Sequence, residues 1–197
     1  MKLEKIEYKP ISVHDLLIEM KNLSELMIDL AYSAALFNSK DLAEDVLELE
    51  KHIDTLSYLL DMNTMIAARD AKDAESLLGV LTVASSTNKI SDAAADIAHI
   101  VLGDIGIHPI VREAFKRVEE HITRVEIKPR STLVNKKLEE LELAAEIGVN
   151  VIAIRRNKKW IINPHEEEIM AGDIIIARGS PTGADQMKEF AKDQRLS

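Results

Sequence analysis

Cysteine is missing from all 197 positions, which rules out disulfide frameworks, thiolate metal sites and thiol nucleophiles and fits a reducing cytoplasm. Long apolar runs are missing too. Each is broken by charge well short of the roughly 18 to 20 residues a bilayer span needs, and the amino terminus shows no signal-peptide core. The expectation is a cytoplasmic chain without direct membrane insertion. Basic charge is in short supply, with 25 Lys and Arg against 34 Asp and Glu for a net −9. Nucleic acid and anionic lipid are held by clustered Lys and Arg, so no nucleic-acid partner is expected. Catalytic signatures are lacking as well: the chain has no G-x-S-x-G, H-E-x-x-H or P-loop, and its 6 histidines are scattered. Such motifs place nucleophile, base or metal ligand at fixed spacings, so the chain is not expected to be an enzyme.

What is present is a soluble globular composition, 46% hydrophobic and 30% charged, which suits one or two domains. From Ser12 to about Glu120 the apolar residues recur at spacings of three and four, the pattern of helices. Ser12 caps a first helix with the stripe Leu16, Ile18, Met20, Leu23, Leu26, Met27, Leu30 and Ala34, weakening at Asn38-Ser39. Ser39 or Asp41 opens a second, where Ala43, Val46, Leu49, Ile53, Leu56 and Leu60 share a face as far as Arg69-Asp70. A third runs from about Ala71 to Gly103, its core face assigned to Leu77, Leu78, Val80, Leu81, Val83, Ile90, Ala94, Ile97 and Val101. At about 1.5 Å per residue the three are roughly 35 to 45 Å long and close one core only as an elongated antiparallel bundle. Pro109 to Glu120 reads as a shorter fourth helix with Val111, Phe115 and Val118 inward.

The period then changes. Thr123, Val125 and Ile127 alternate with Arg124 and Glu126 as in a half-buried strand, and Pro129 stops it. Ser131 or Thr132 starts a short helix through Leu138, Leu141 and Ala145, closed by Gly148. Val149, Val151, Ile152 and Ile154 lead into the turn Arg156-Asn157-Lys158, from which Trp160, Ile161 and Ile162 return as a hairpin. Asn163-Pro164 ends the return strand, Ala171-Gly172-Asp173 turns into Ile174 to Ala177, and a last helix covers about Thr182 to Asp193. The order is β-α-β-β-β-α. The division is residues 12–120, an all-α antiparallel helical bundle, and residues 121–194, an α+β domain.

The set Leu133-Val134, Leu138, Leu141, Leu143, Gly148, Val151-Ile152, Ile154-Arg155, Asn163-Pro164, Ile169, Gly172-Asp173 and Gly179 resembles the TrkA-C domain, also called the RCK carboxy-terminal domain. Where that family usually has glycine this chain has Asn135, a residue that tolerates left-handed backbone. The resemblance implies a regulatory module, commonly dimeric, attached to cation channels and transporters, above all those for potassium. Some members bind cyclic di-AMP. Relatives often place a dinucleotide-binding half before this domain; this chain has no G-x-G-x-x-G, so no NAD is expected.

In the helical half, SKDLAEDVLELEKHIDTL and NKISDAAADIAHIVL resemble the paired segments of a PhoU-like three-helix unit. PhoU-like bundles often hold metal ions on E(D)xxxD motifs, because residues four apart share a helical face. Glu50 and Asp54 fit that spacing, whereas the third helix offers Asn88 and Asp92, an amide in place of one carboxylate. At roughly 100° per residue Asp92, Asp96 and His99 fall within about 60° of one another, a set able to offer two oxygens and an imidazole to a divalent metal. The same faces also read as ordinary solvated carboxylates.

The other candidate site lies on the sheet, where Arg155 and Arg156 end one strand and Asn163, Pro164 and His165 end its hairpin partner. Arginine grips phosphate with two parallel N–H groups, which suits an anionic small molecule, and the TrkA-C resemblance implies cyclic di-AMP as that effector. Taken together, the expectation is a cytoplasmic regulatory subunit of a potassium or other cation transport system. It is expected to be a homodimer, peripheral to the membrane through a channel or transporter partner, and to sense a small effector through the TrkA-C-like domain. The alternative is a PhoU-like metal-binding adaptor in phosphate or signalling control.

Overall fold

In the computed structural model residues 6–103, 107–110, 113 and 121–193 are described. The chain divides into two compact units, Met1–Phe115 and Lys116–Ser197. The boundary expected near Glu120 lies outside the described residues, as does most of the expected fourth helix with its Val111, Phe115 and Val118.

The first unit is built from α1 (Val13–Phe37), α2 (Lys40–Ala67) and α3 (Ala71–Leu102). Each start is capped by a side-chain oxygen that takes up an otherwise orphaned backbone N–H. Ser12 Oγ accepts from Asp15 N at 3.0 Å, Ser39 Oγ from Leu42 N at 3.4 Å, and an Asp70 carboxylate oxygen from Asp73 N at 2.9 Å. Asn38, in left-handed geometry at φ 52°, ends α1 and turns the chain back at once. Links this short leave consecutive helices antiparallel neighbours. The stripes expected of α1 and α2 are buried, with Leu16, Met20, Met27, Leu30, Val46, Leu49, Ile53 and Leu60 all at 0% exposure; only Ile18 stands out in solvent. Full burial of such a side chain is worth about 1.5–3 kcal/mol, which makes these two faces the main source of cohesion.

Helix α3 buries only Ala94 and Val101 of the expected face and leaves Leu77, Val80, Leu81 and Ile97 half-buried. Its buried residues are Ala84, Ser91, Ala94, Ala95, Ala98 and Val101. Leu78, Val83 and Ile90 are exposed at 60%, 57% and 44%. The helix is turned so that small side chains meet α1 and α2, where Ser91 Oγ donates to Met27 Sδ at 3.2 Å. Alanines let helix axes approach closely, and that gain in packing overrides burial of the larger residues.

The second unit is a four-stranded antiparallel sheet in the order β1-β4-β2-β3, with β1 His121–Glu126, β2 Val149–Arg156, β3 Lys159–Ile162 and β4 Ile174–Gly179. It carries two helices, α4 (Leu143–Ile147) and α5 (Pro181–Ala191). Asn157 and Lys158, both at positive φ (49° and 65°), make the two-residue hairpin turn between β2 and β3. Positive φ at both turn positions matches the twist of the strands. The core is Ile127, Leu133, Ile154, Ile169, Ile175, Ala177 and Met187.

The single helix expected from Ser131 to Ala145 is instead a run of turns, a short 3-10 segment at Leu138–Leu141, and α4. Asn135 sits at φ 60°, and its N–H donates to the Ile169 carbonyl at 2.8 Å. Lys136 O then accepts from Ile169 N at 2.9 Å, and Leu138 N donates to Glu167 O at 3.0 Å. A strand-like bridge between 135–138 and 167–169 has taken the backbone groups a helix would need. Two glycines hold the other side together. A Cβ at Gly179 would lie 2.5 Å from the Gly148 carbonyl oxygen, and one at Gly183 would run into that of Ile147, so α5 meets the end of α4 backbone to backbone.

Candidate functional site

The five residues expected to form the hairpin site do different things. Arg156, at the end of β2, is drawn inward. Its Nε donates to Asp173 Oδ1 and its Nη2 to Asp173 Oδ2, both at 2.8 Å, and Nη2 also reaches the Glu168 carbonyl at 2.7 Å. Glu167 adds an ion pair at 3.5 Å. Asp173 is 1% exposed, and its Oδ2 also accepts from Met170 N at 2.8 Å. The hydrogen bonds to Asp173 raise the Arg156 pKa above its ordinary value against the opposing effect of burial. This two-pronged pair ties the hairpin to the turn before β4, and its arginine has its donors committed inside the fold.

Arg155 faces its cross-strand partner Trp160, with the guanidinium carbon 6.0 Å from the ring centroid. That is the outer limit for attraction between a cation and an aromatic face. Asn163, at φ 50°, closes β3 by donating its backbone N–H to Ile152 O at 2.9 Å, and leaves its side chain exposed. Pro164 is buried and His165 exposed.

Those last two residues line a surface groove of about 390 Å³ with Leu143, Val149, Val151, Asn150, Glu139 and Glu142. The groove lining therefore combines apolar side chains with an imidazole, an amide and two carboxylates. Of the candidate site residues expected from the sequence, only Pro164 and His165 line it. Glu139 and Glu142 were missed because they flank the break at Glu142, φ 42°, which helical periodicity does not reveal, and Asn150 because it reads as an ordinary strand residue of β2.

In the helical unit the expected metal residues are electrostatic neighbours. Burial, and then the Asp54 charge, raise the Glu50 pKa; His99 pulls it down and Asp92 adds to the rise. Burial first, with Asp54 and Asp96 after it, raises that of Asp92. The two pairs therefore sense each other across α2 and α3. Yet among the described residues no group of three or more His, Asp or Glu side chains converges closely enough to hold a metal ion.

Comparison with known proteins follows the same division. Residues 17–101 match the PhoU domain family and residues 122–192 the TrkA-C domain family. The chain carries a PhoU-like domain followed by a TrkA-C domain. A curated relative, the Ktr system potassium uptake protein C of Bacillus subtilis (strain 168), is 35% identical over 92 residues. The match takes in 46% of this chain and 39% of that relative, so the chain spans well under half of the relative's length. Among solved structures, the RCK_C domain dimer of S. agalactiae BusR in complex with c-di-AMP is 23% identical with a TM-score of 0.35, covering 37% of this chain and 91% of that one. The RCK C domain of potassium transport protein KtrA, also in complex with c-di-AMP, is 27% identical with a TM-score of 0.32, covering 36% of this chain and 82% of that one. In these terms the groove belongs to the TrkA-C domain and the carboxylate pairs to the PhoU domain. Among the described residues no helix is long and apolar enough to cross a membrane.

Proposed function

We propose that this chain is the regulatory, non-catalytic part of a potassium or other cation transport system, cytoplasmic and held at the membrane by its transporter partner. Its TrkA-C domain binds a small effector, and the protein works as a homodimer. The observation that carries the reading is the 35% identity over 92 residues to the Bacillus subtilis potassium uptake protein, and the TrkA-C and PhoU domain matches support it.

Cyclic di-AMP is the effector to test first. The apolar lining at Leu143, Val149, Val151 and Pro164 offers a purine face its contact, while Asn150 and His165 offer hydrogen bonds. Glu139 and Glu142 repel a phosphate, so His165 is the residue assigned to receive it. Arg156, committed to Asp173, takes no part.

Calorimetric titration of the full chain with cyclic di-AMP, with AMP as control, tests the assignment. The expected result is a saturable heat for the cyclic dinucleotide, weakened at least tenfold by Asn150→Ala or His165→Ala. At 100 times the dissociation constant, binding adds about 2.7 kcal/mol of stability. No heat and no rise in melting temperature would overturn the effector assignment. Co-purification with a membrane potassium-transport subunit tests the transporter partner separately. The second reading, a PhoU-like metal-binding adaptor, has the PhoU match in its favour but no convergent ligand set among the described residues.

A further inference from the structure

Helix α3 turns its alanines inward and leaves a second apolar face outside. Along that face Val83, Ser86, Ile90, Ala93, Ile97 and Ile100 follow one another at steps of 3, 4, 3, 4 and 3. Val83, Ile90 and Ile100 are exposed at 57%, 44% and 55%. Ser86 and Ala93 are exposed and Ile97 half-buried. Alternating steps of three and four are the spacing by which one helix receives another along a left-handed seam. From Val83 to Ile100 the seam is about 26 Å long.

We propose that this seam pairs with the same seam of a second copy of the chain, the two α3 helices lying antiparallel. Three features of the sequence on this face select that occupant and that direction. Antiparallel pairing about a twofold axis between Ile90 and Ala93 sets every large residue of the inner layers against a small one. Ile90 meets the partner's Ala93, and Ile97 meets the partner's Ser86. Val83 and the partner's Ile100 close the two ends. Large-against-small layers fill the space between helices without voids or overlap.

The flanking charges agree. Lys89 and Asp96 each stand one residue before a seam position, on the flank away from the buried Ala94 and Val101. Antiparallel pairing brings Lys89 within two residues of the level of the partner's Asp96, and the twofold repeats the pair. Parallel pairing would set the same two residues against Ala94 and Val101 of the second copy and form no ion pair. The seam stands on α3 alone and does not rest on the effector or transporter reading.

The absence of cysteine from the chain gives a direct test. Val83→Cys, Ile100→Cys and the double variant are treated with a short bismaleimide, and products are separated under denaturing conditions. Both positions are more than half exposed, so neither substitution opens the bundle core. The double variant should give a covalent dimer in high yield and each single variant almost none, because identical positions lie about 25 Å apart in the antiparallel pair. Lys89→Asp should lower the dimer yield of the double variant at least fivefold, and adding Asp96→Lys should restore it. Self-linking of either single variant would replace the antiparallel pairing with a parallel one. Failure of all three to link would remove the interface.

Discussion

The PhoU domain is held by apolar faces between long helices; the TrkA-C domain is held, in addition, by a buried ion pair and backbone bonds that cross between segments far apart in sequence. In the PhoU domain the polar contacts between helices include the weak buried bond from Ser91 Oγ to Met27 Sδ and a surface contact of His52 with Glu19 at 3.0 Å. In the TrkA-C domain Asp173 holds Arg156 and the Met170 N–H at once, beneath the surface. A domain with three long stripes can rely on non-directional burial. A small four-stranded sheet has less surface to bury and gains definition from directional bonds.

That contrast predicts an order of sensitivities, read by amide hydrogen exchange so that each domain reports for itself. Removing the pin should have the largest effect. Asp173→Ala strands the half-buried Arg156 charge and should cost the TrkA-C domain about 3–5 kcal/mol, with protection lost in β2 and β4 and retained in α1 and α2. If the loss is below 1 kcal/mol, the pin is dispensable and the contrast fails. Leu30→Ala, at a site with 0% exposure, should cost the PhoU domain about 3 kcal/mol through lost burial and a residual cavity.

Smaller effects separate the two ways of ending a helix. At Gly148, φ 65°, an added Cβ meets nothing within 4 Å, so Gly148→Ala should cost about 1–2 kcal/mol from backbone strain alone. The corresponding Asn38→Gly, at φ 52°, should be neutral or slightly stabilising, since it relieves strain of the same kind.

The smallest effect concerns the carboxylates between α2 and α3. Glu50 and Asp92 have raised folded-state pKa values, so the folded protein takes up protons more readily than the unfolded chain. The stabilisation is fully present below their unfolded pKa near 4 and is lost as pH rises through the raised folded values. Stability of the PhoU domain should therefore fall slightly as pH climbs from about 4 towards 7. Glu50→Gln should flatten that slope and, after solvent screening, stabilise by on the order of a few tenths of a kcal/mol at neutral pH. A steeper slope in the variant would reverse the assignment.

Much of this was legible in the residues. The caps Ser12 and Ser39 and the stop at Gly148 are local signals, each satisfied by atoms within a turn, and they mark helix ends. The stripes of α1 and α2 were legible because large apolar residues occupy one face only. Helix α3 was not, because it has two apolar faces and period alone does not say which is inside. The helix expected from Ser131 to Ala145 was not either, since its backbone bonds run to residues some 30 positions away. Arg156 presents to the sequence as a phosphate ligand, and only its distance to Asp173 shows where its charge is spent.

Sequence by itself determined that there are two domains, the order of the strands and the ends of α1, α2 and α3, because these follow from periodicity and from bonds between near neighbours. Tertiary structure decided which face of α3 is inner, that Arg156 is tied to Asp173, and which side chains form the groove. Those outcomes depend on contacts between residues distant along the chain, where close packing and hydrogen-bond satisfaction outweigh local preference.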